Sequence, residues 1–400
     1  QELRVVDEGP RQAQPSLHAA RQLAGLGLRF VTEGPKFEQL RNALADHGVG
    51  QAEVTAKDQQ VFFRREVGVE RVHLCHHAQT GFDGQRIARH LQAVKVGHAA
   101  AVGLRQAQAH AQCGGFARAI AADSTALNTC LYLFHPEYAD YISDIGHQKL
   151  VYHAYDDFSK QGDYSLLAEK ELALLNKADV VFASSTLIQQ RLASLSGRQD
   201  IVFLPNGVDY ELFSRAQAEP DDLKAIPHPR VAYTGSINRK VDLELLLTLA
   251  TRLQSVHFVL IGGIGKLDSS ATVTALSALY NVHFLGAKPV NAIAAYMQHA
   301  DINIMIYKAD SSTWAISGYP LKLHEYLAVG KPVISAPLDA VMPFSPVLTL
   351  ANSVDEWQNA IEHQLSALPD PAQVAARQAV ARQNTWDIRV MQILNTPGLK

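Results

Sequence analysis

Lys322 and Glu325 are the side chains whose types and spacing first suggest chemistry. They stand three apart within residues 318–335, G-Y-P-L-K-L-H-E-Y-L-A-V-G-K-P-V-I-S, so on a helix they share one side of its first turns. Pro320 suits the opening of such a helix, and Leu321, Leu323, Leu327 and Ala328 fall on or near one face. Gly330 is placed to close it in a left-handed cap; after Lys331-Pro332, Val333-Ile334-Ser335 reads as a short buried parallel strand. A helix start that combines a cation, a carboxylate and the positive end of the backbone dipole suits a diphosphate with its ribose. A surface ion pair on an ordinary helix fits the same two residues equally well.

Three further strand ends carry glycine. Gly235 sits between an apolar run and a helical pattern, where a backbone without Cβ can approach a phosphate closely. Arg239 and Lys240 follow at once and would add charge-assisted contacts; a helix-entry turn with solvated charges is the plainer alternative. Gly262-Gly263 and Gly286 end two more runs, on the carboxyl edge where open α/β sheets bind ligands. Elsewhere, His153, Asp156 and Asp157 follow another strand in Y-H-A-Y-D-D-F-S. A histidine there could bond a hydroxyl and a carboxylate could take its proton, although capping and loop solvation account for an Asp pair as readily. Glu171 reads as a helix-surface charge without a role. His135, before Pro136, is ambiguous, and the remaining histidines lack metal-ligand spacing.

Strand and helix must alternate to bring these positions together. Strands are predicted at 130–134, 149–153, 180–183 and 201–204. Helices are predicted from 137, over 165–177 with Leu166, Leu167, Leu172 and Leu175 inward, and after the cap Ser184-Ser185-Thr186. Residues 205–209 (P-N-G-V-D) form a turn, and the polar, proline-bearing stretch 217–229 reads as a linker, with a domain boundary near 225. A second series of strands follows at 231–233, 257–261, 282–285, 301–307 and 333–335, with intervening helices and a last helix at 386–394. This second series reads as a complete doubly wound domain.

The composition supports a folded two-domain protein, with 400 residues, 47% of them hydrophobic and 19% charged. A formal net charge of −3 provides no pull toward nucleic acid. Cys75, Cys113 and Cys130 have no metal or redox spacing and suit a reducing cytoplasm. No apolar run reaches a membrane span, and the first residues lack a signal peptide's apolar centre. Residues 1–115 differ from the rest, being rich in Gln, His, Ala and Arg, with short apolar pieces at 28–31, 61–63 and 72–75. A diverged half-domain, a partly disordered appendage or a stretch outside the natural reading frame would each account for this, and the opening Gln suggests a fragment. If these residues supply no strands, the strand at 130–134 has an exposed neighbour position.

From 127 to 395 the chain resembles glycosyltransferases of the GT-B fold, most closely family 4 and its relatives in bacterial surface-polysaccharide synthesis. The matching pieces, in order, are V-V-F-A-S-S-T-L, F-L-P-N-G-V-D, A-Y-T-G-S-I-N-R-K-V-D, V-L-I-G, V-H-F-L-G, A-D-I-N-I-M-I-Y and P-L-K-L-H-E-Y-L-A-V-G-K-P-V-I-S. The resemblance implies two doubly wound, Rossmann-like domains facing a cleft. The N-terminal one (116–225, after the atypical 1–115) would be incomplete or irregular and acceptor-side, and 226–385 would bind a nucleotide-sugar, with 386–400 a closing helix and tail.

The same resemblance implies site roles. Glu325 would hold the ribose hydroxyls. Gly235, Ser236, Arg239 and Lys240 would grip the diphosphate, with Lys322 and Tyr319 in the same donor set and Gly286 beside the base. His153, Asp156 and Asp157 would serve the acceptor and catalysis. A cytoplasmic enzyme follows, transferring a sugar with retention from a nucleotide-diphosphate-sugar to a saccharide or lipid-linked acceptor. No metal or other cofactor is expected, and neither is nucleic acid; peripheral contact with the inner membrane face is compatible. One departure stands out. Many members carry a second glutamate eight residues before the ribose-binding one, and here that position is Ser317, with Asp310 as a possible substitute. An epimerase of the same fold, or a non-catalytic sugar-nucleotide-binding partner, therefore stays open as an alternative.

Overall fold

The computed structural model describes residues 129–144, 147–160, 164–308 and 317–399, together with the backbone of four strands at 27–31, 52–55, 60–66 and 69–75. The chain divides into two compact units. One comprises Gln1–Tyr152, Asn176–Val180 and Val390–Lys400; the other comprises His153–Leu175 and Val181–Arg389.

In the first unit, β1 (Gly27–Val31) pairs in parallel with β2 (Ala52–Thr55), while β3 (Gln60–Glu66) and β4 (Val69–Cys75) form an antiparallel pair. β1, β3 and β4 fall on the three short apolar pieces of the atypical stretch. β5 (Thr129–Leu133) pairs in parallel with β1 on one side and with the start of β6 (Lys149–Ala154) on the other, so its neighbour position is filled. Cys130, Leu131, Tyr132 and Leu133 are consecutively buried, the pattern of a parallel strand covered on both faces. Burial pushes the Cys130 thiol up to about 12, which keeps it protonated and unreactive. The helix expected from residue 137 is a 3-10 helix, Pro136–Asp144.

The second unit begins with the last residues of β6, which lead to a loop and the helix Ser165–Lys177. Leu175 is buried as expected, but Leu166, also expected inward, is 70% exposed, and Glu171 and Leu174 are buried with Leu175. The inward face thus combines a carboxylate with two leucines. β7 (Val180–Ala183) pairs in parallel with β8 (Val202–Phe203), and the intervening helix Thr186–Ser196 is capped by Ser185 and closed by Gly197 in the left-handed region.

A six-stranded parallel sheet follows, with β9 (Arg230–Thr234), β10 (His257–Ile261), β11 (Val282–Gly286), β12 (Ile302–Met305), β13 (Val333–Ser335) and β14 (Thr349–Leu350) in the order β11-β10-β9-β12-β13-β14. The chain runs outward from β9 to β11 and then returns to β9's other side, so the topological switch lies between β9 and β12, where open α/β sheets hold ligands. Leu243, Leu246, Leu249 and Ala250 bury one face of the helix Leu243–Arg252, at roughly 1.5–3 kcal/mol per fully buried Leu. Asp242 caps that helix by accepting from Leu245 N at 3.0 Å. Residues 217–229, read as a linker, pack on this sheet: Leu223 and Ile226 are buried with Ala232, Val259 and Ile261. Among the described residues no helix is long and apolar enough to cross a membrane.

Candidate functional site

The carboxyl edge of the second sheet is built from backbone first. Gly235 N donates to Ile261 O at 2.8 Å and Gly262 N to Gly286 O at 2.9 Å, tying the ends of β9, β10 and β11 together. A Cβ on Gly262 would lie 2.0 Å from the Gly235 carbonyl oxygen, so no other residue fits there without moving the backbone. Gly235 (φ +127°) and Gly286 (φ +70°) both occupy conformations that side chains disfavour.

Lys322 reaches this edge from the far side of the switch point. A Cβ on Gly235 would lie 2.8 Å from its ammonium, so the two residues predicted to hold diphosphate are brought together. The Lys322 side chain is buried, and its Nζ sits 3.8 Å from the Tyr233 ring centroid and 4.9 Å from that of Tyr307. Two aromatic faces offset the desolvation of the cation through their quadrupoles. This seat, just beyond β9 and β12, takes the cation away from the surface. Tyr233 also donates its hydroxyl to Ser236 O at 3.0 Å, which fixes the loop after β9.

Glu325 is half-buried on the next turn of the helix Lys322–Val329. Burial lifts the Tyr307 phenol well above its ordinary value, and the nearby Glu325 carboxylate adds to that rise. The helix is stitched to β9 by Tyr326, whose hydroxyl takes the Thr234 N–H at 3.0 Å, and it ends at Gly330 in the left-handed region (φ +84°). Burial is followed by the Arg389 charge in holding the adjacent His324 imidazole neutral, down to about 3. His324 Nε2 lies 2.8 Å from the hydroxyl of Tyr319, a residue predicted for the donor set and found buried.

The remaining predicted donor residues lie on the loop after β9. Ser236 and Arg239 are exposed and Lys240 half-buried. Asn238 shapes the loop by accepting from Lys240 N at 3.1 Å, while Arg239 N donates to Lys266 O at 3.0 Å. Two cations of this edge, Lys266 and Lys308, escaped the sequence reading, although each follows a strand end closely enough to have been found by position alone. Lys308 pairs with Asp268 at 2.8 Å and chiefly holds that carboxyl below its usual range, helped by Arg239 and Lys266.

A second polar cluster surrounds the end of β6. His153 is buried with its ring edge against Phe182, centroids 5.8 Å apart. Asp156 is half-buried and accepts from Asp157 N at 2.9 Å. Asp157 is buried, takes both the N–H and the hydroxyl of Ser159, and lies 3.0 Å from Arg191 Nε. Glu171, read as a surface charge, is fully buried and grips Arg191 at both ends, at 2.7 and 2.9 Å. Tyr164 donates to Glu171 and accepts from Arg191 at 3.0 Å. Burial works against the Arg191 charge, yet the hydrogen bonds to Glu171 and the attraction of Glu171 and Asp157 outweigh it and raise its pKa. Burial, reinforced by Glu171, pushes the Tyr164 phenol up to about 12. The buried glutamate was hidden because no apolar periodicity announces a charge paired across 20 residues of sequence. Asp310 lies outside the described residues.

The geometry can be set beside known proteins. Residues 228–366 match the family described as "Glycosyl transferases group 1". TuaH of Bacillus subtilis (strain 168), named as a candidate teichuronic acid biosynthesis glycosyltransferase, is 26% identical over 245 residues. The match takes in 59% of this chain, and the chain spans 60% of that relative's length. Among solved structures, Anabaena HepE in complex with UDP and glucose superposes with a TM-score of 0.61 at 15% identity, over 93% of this chain and 99% of that one. A UDP-forming α,α-trehalose-phosphate synthase from Burkholderia xenovorans superposes with a TM-score of 0.66 at 11% identity, over 93% and 99%. The chain thus has the GT-B fold, and residues 228–366, which supply its glycine edge, Lys322 and Glu325, are similar to group 1 glycosyl transferases.

Proposed function

We propose that this protein transfers a sugar from a nucleotide-diphosphate-sugar to a saccharide or lipid-linked acceptor in surface-polysaccharide synthesis, with retention of anomeric configuration. One observation carries the reading: the buried Lys322 ammonium is seated against the Gly235 backbone at the switch point. There a diphosphate would meet Lys322, the N–H groups following Gly235 and the basic loop carrying Arg239 and Lys240. Charge developing on the leaving diphosphate would be stabilised by groups already fixed in place. Glu325, one turn along, would accept both ribose hydroxyls. His153 would bond a sugar hydroxyl, and Asp156 would orient the acceptor or take its proton. Asp157, committed to Arg191 and Ser159, would hold their loop in shape. The UDP and glucose in the HepE structure support a nucleotide-sugar donor, and the TuaH likeness supports a surface polysaccharide. A lipid-linked acceptor would place the enzyme at the inner face of the membrane.

Calorimetry with UDP, GDP and ADP tests the donor site. At least one should bind, its 2′-deoxy counterpart should bind more weakly, and Glu325→Ala should remove that difference while lowering affinity about tenfold. Unchanged affinity in Glu325→Ala would remove the ribose assignment.

Ser317 favours a second reading, a protein that binds donor without turning it over, since the position of the second glutamate is filled by a buried serine. Nucleoside diphosphate released from a bound donor over an acceptor panel supports transfer. Binding without any release supports the second reading, and isomerised donor without acceptor would indicate an epimerase.

A further inference from the structure

Two motifs that carry no role so far, A-S-S-T-L and P-N-G-V-D, converge on the segment that leads into the Lys322–Val329 helix. The Ser185 hydroxyl donates to the backbone carbonyl of Ser317 while accepting from Ile188 N at 3.1 Å. The Asn206 side-chain amide donates to the carbonyl of Tyr319 at 2.6 Å. All four residues are buried, between 4 and 6% exposed. The two side chains therefore grip the backbone on either side of Gly318, over sequence separations of 132 and 113 residues.

Both anchors are themselves held. Ser185 is the N-cap of the helix Thr186–Ser196, so its lone pair and its proton are both engaged. Asn206 stands in a turn bridged to the chain before the last helix, with Val208 N donating to Asn384 O at 3.0 Å and Trp386 N to Val208 O at 3.2 Å. Gly207 leaves no room for that turn to shift, because a Cβ there would lie 2.8 Å from Trp386 N. On the receiving side, Tyr319 is fixed at its carbonyl by Asn206 and at its hydroxyl by His324, one residue before Glu325.

We propose that Ser185 and Asn206 are positioning residues for the donor site: they set the entry angle of the helix, and through it the places of Lys322 and Glu325. A bare sequence-distant hydrogen bond to a buried carbonyl is a rigid constraint, since the carbonyl has no water to turn to. A diphosphate held between Lys322 and the Gly235 edge would feel a displacement of well under an ångström at that entry. The functional half of the proposal rests on the donor reading given above.

The test combines amide hydrogen exchange with calorimetry on the full chain, using whichever of UDP, GDP and ADP the unaltered protein binds. Asn206→Ala should speed exchange of the amides at 321–326, leave those of β10 unchanged, and weaken diphosphate binding about tenfold. Asn206→Asp should weaken it further at pH 8, where a carboxylate faces the Tyr319 carbonyl, and recover toward pH 5 as the carboxyl gains a proton to donate. Ser185→Thr keeps the hydroxyl and should retain binding; Ser185→Ala should not. Unchanged exchange at 321–326 in both alanine variants would overturn the positioning role, as would equal binding by Ser185→Thr and Ser185→Ala. Faster exchange in a protein that binds none of the three diphosphates would leave the constraint standing and overturn the donor reading, and with it the functional half of this one.

Discussion

Arg191 is half-buried and Lys322 buried, both in the same unit, and the two cations are stabilised in different ways. Arg191 is saturated by carboxylates: Glu171 takes both ends of its fork, and Asp157 lies against its Nε. Lys322 is seated on the faces of Tyr233 and Tyr307, with its ammonium turned to a glycine backbone. An ion that already holds its counter-ions is part of the framework, because a ligand offering another anion would have to displace a bidentate carboxylate. An aromatic face, for its part, lowers the cost of burying a cation without itself neutralising the ion.

Exchanging the two cations for neutral side chains tests this contrast most strongly. Arg191→Met leaves Glu171 buried without its partner and should lower the unfolding free energy by about 3 kcal/mol in urea titrations. Diphosphate affinity, measured on the folded fraction, should be nearly unchanged. Replacing Glu171 with Met as well should recover much of that stability; a double variant as weak as the single one would show that the network is more than a charge pair. Gly262→Ala comes next, with a loss on the order of 3 kcal/mol, because the added Cβ meets the Gly235 carbonyl at 2.0 Å and backbone cannot rotate away. A Gly262→Ala protein with unaltered melting temperature would show that the edge is looser than its geometry.

Lys322→Met reverses the pattern expected of Arg191→Met. Diphosphate affinity should fall about tenfold while stability moves by less than about 1 kcal/mol. Strong unfolding with intact binding would make Lys322 a second framework ion and end the contrast. The smallest effect is in pH. His324 is held neutral down to about 3, whereas an unfolded histidine takes its proton near 6.5. The unfolded state therefore binds more protons between those values, so this group's stabilisation is complete above pH 6.5 and is lost as pH falls toward 3. His324→Gln should flatten that part of the urea-midpoint profile, and an unchanged slope would assign it to other groups.

The legibility of these features in the sequence follows their physics. The glycine strand ends, the Lys322–Glu325 helix and the alternation of strands were readable because each depends on local periodicity or on backbone conformations that glycine alone adopts easily. Glu171 was misread because its partner, Arg191, is supplied by another helix. Leu166 was misread because the helix turns Glu171, Leu174 and Leu175 inward and so leaves Leu166 facing outward. The linker reading of 217–229 failed because prolines and charges mark breaks in regular structure, while the burial of Leu223 and Ile226 depends on the sheet beneath them. Tyr233 and Tyr307 stand at the ends of two predicted strands, and only the fold brings Lys322 onto their faces.

By itself the sequence determined the order of elements, the parallel second sheet and the residues at its carboxyl edge, because 3.6- and 2-residue periods and glycine turns are written locally. Only the tertiary structure decided which cation lies between carboxylates and which lies on aromatic faces. It also decided that Ser185 and Asn206 fasten the approach to Glu325. Both depend on contacts between residues far apart in the chain, and pair energies of that kind leave no period in the sequence.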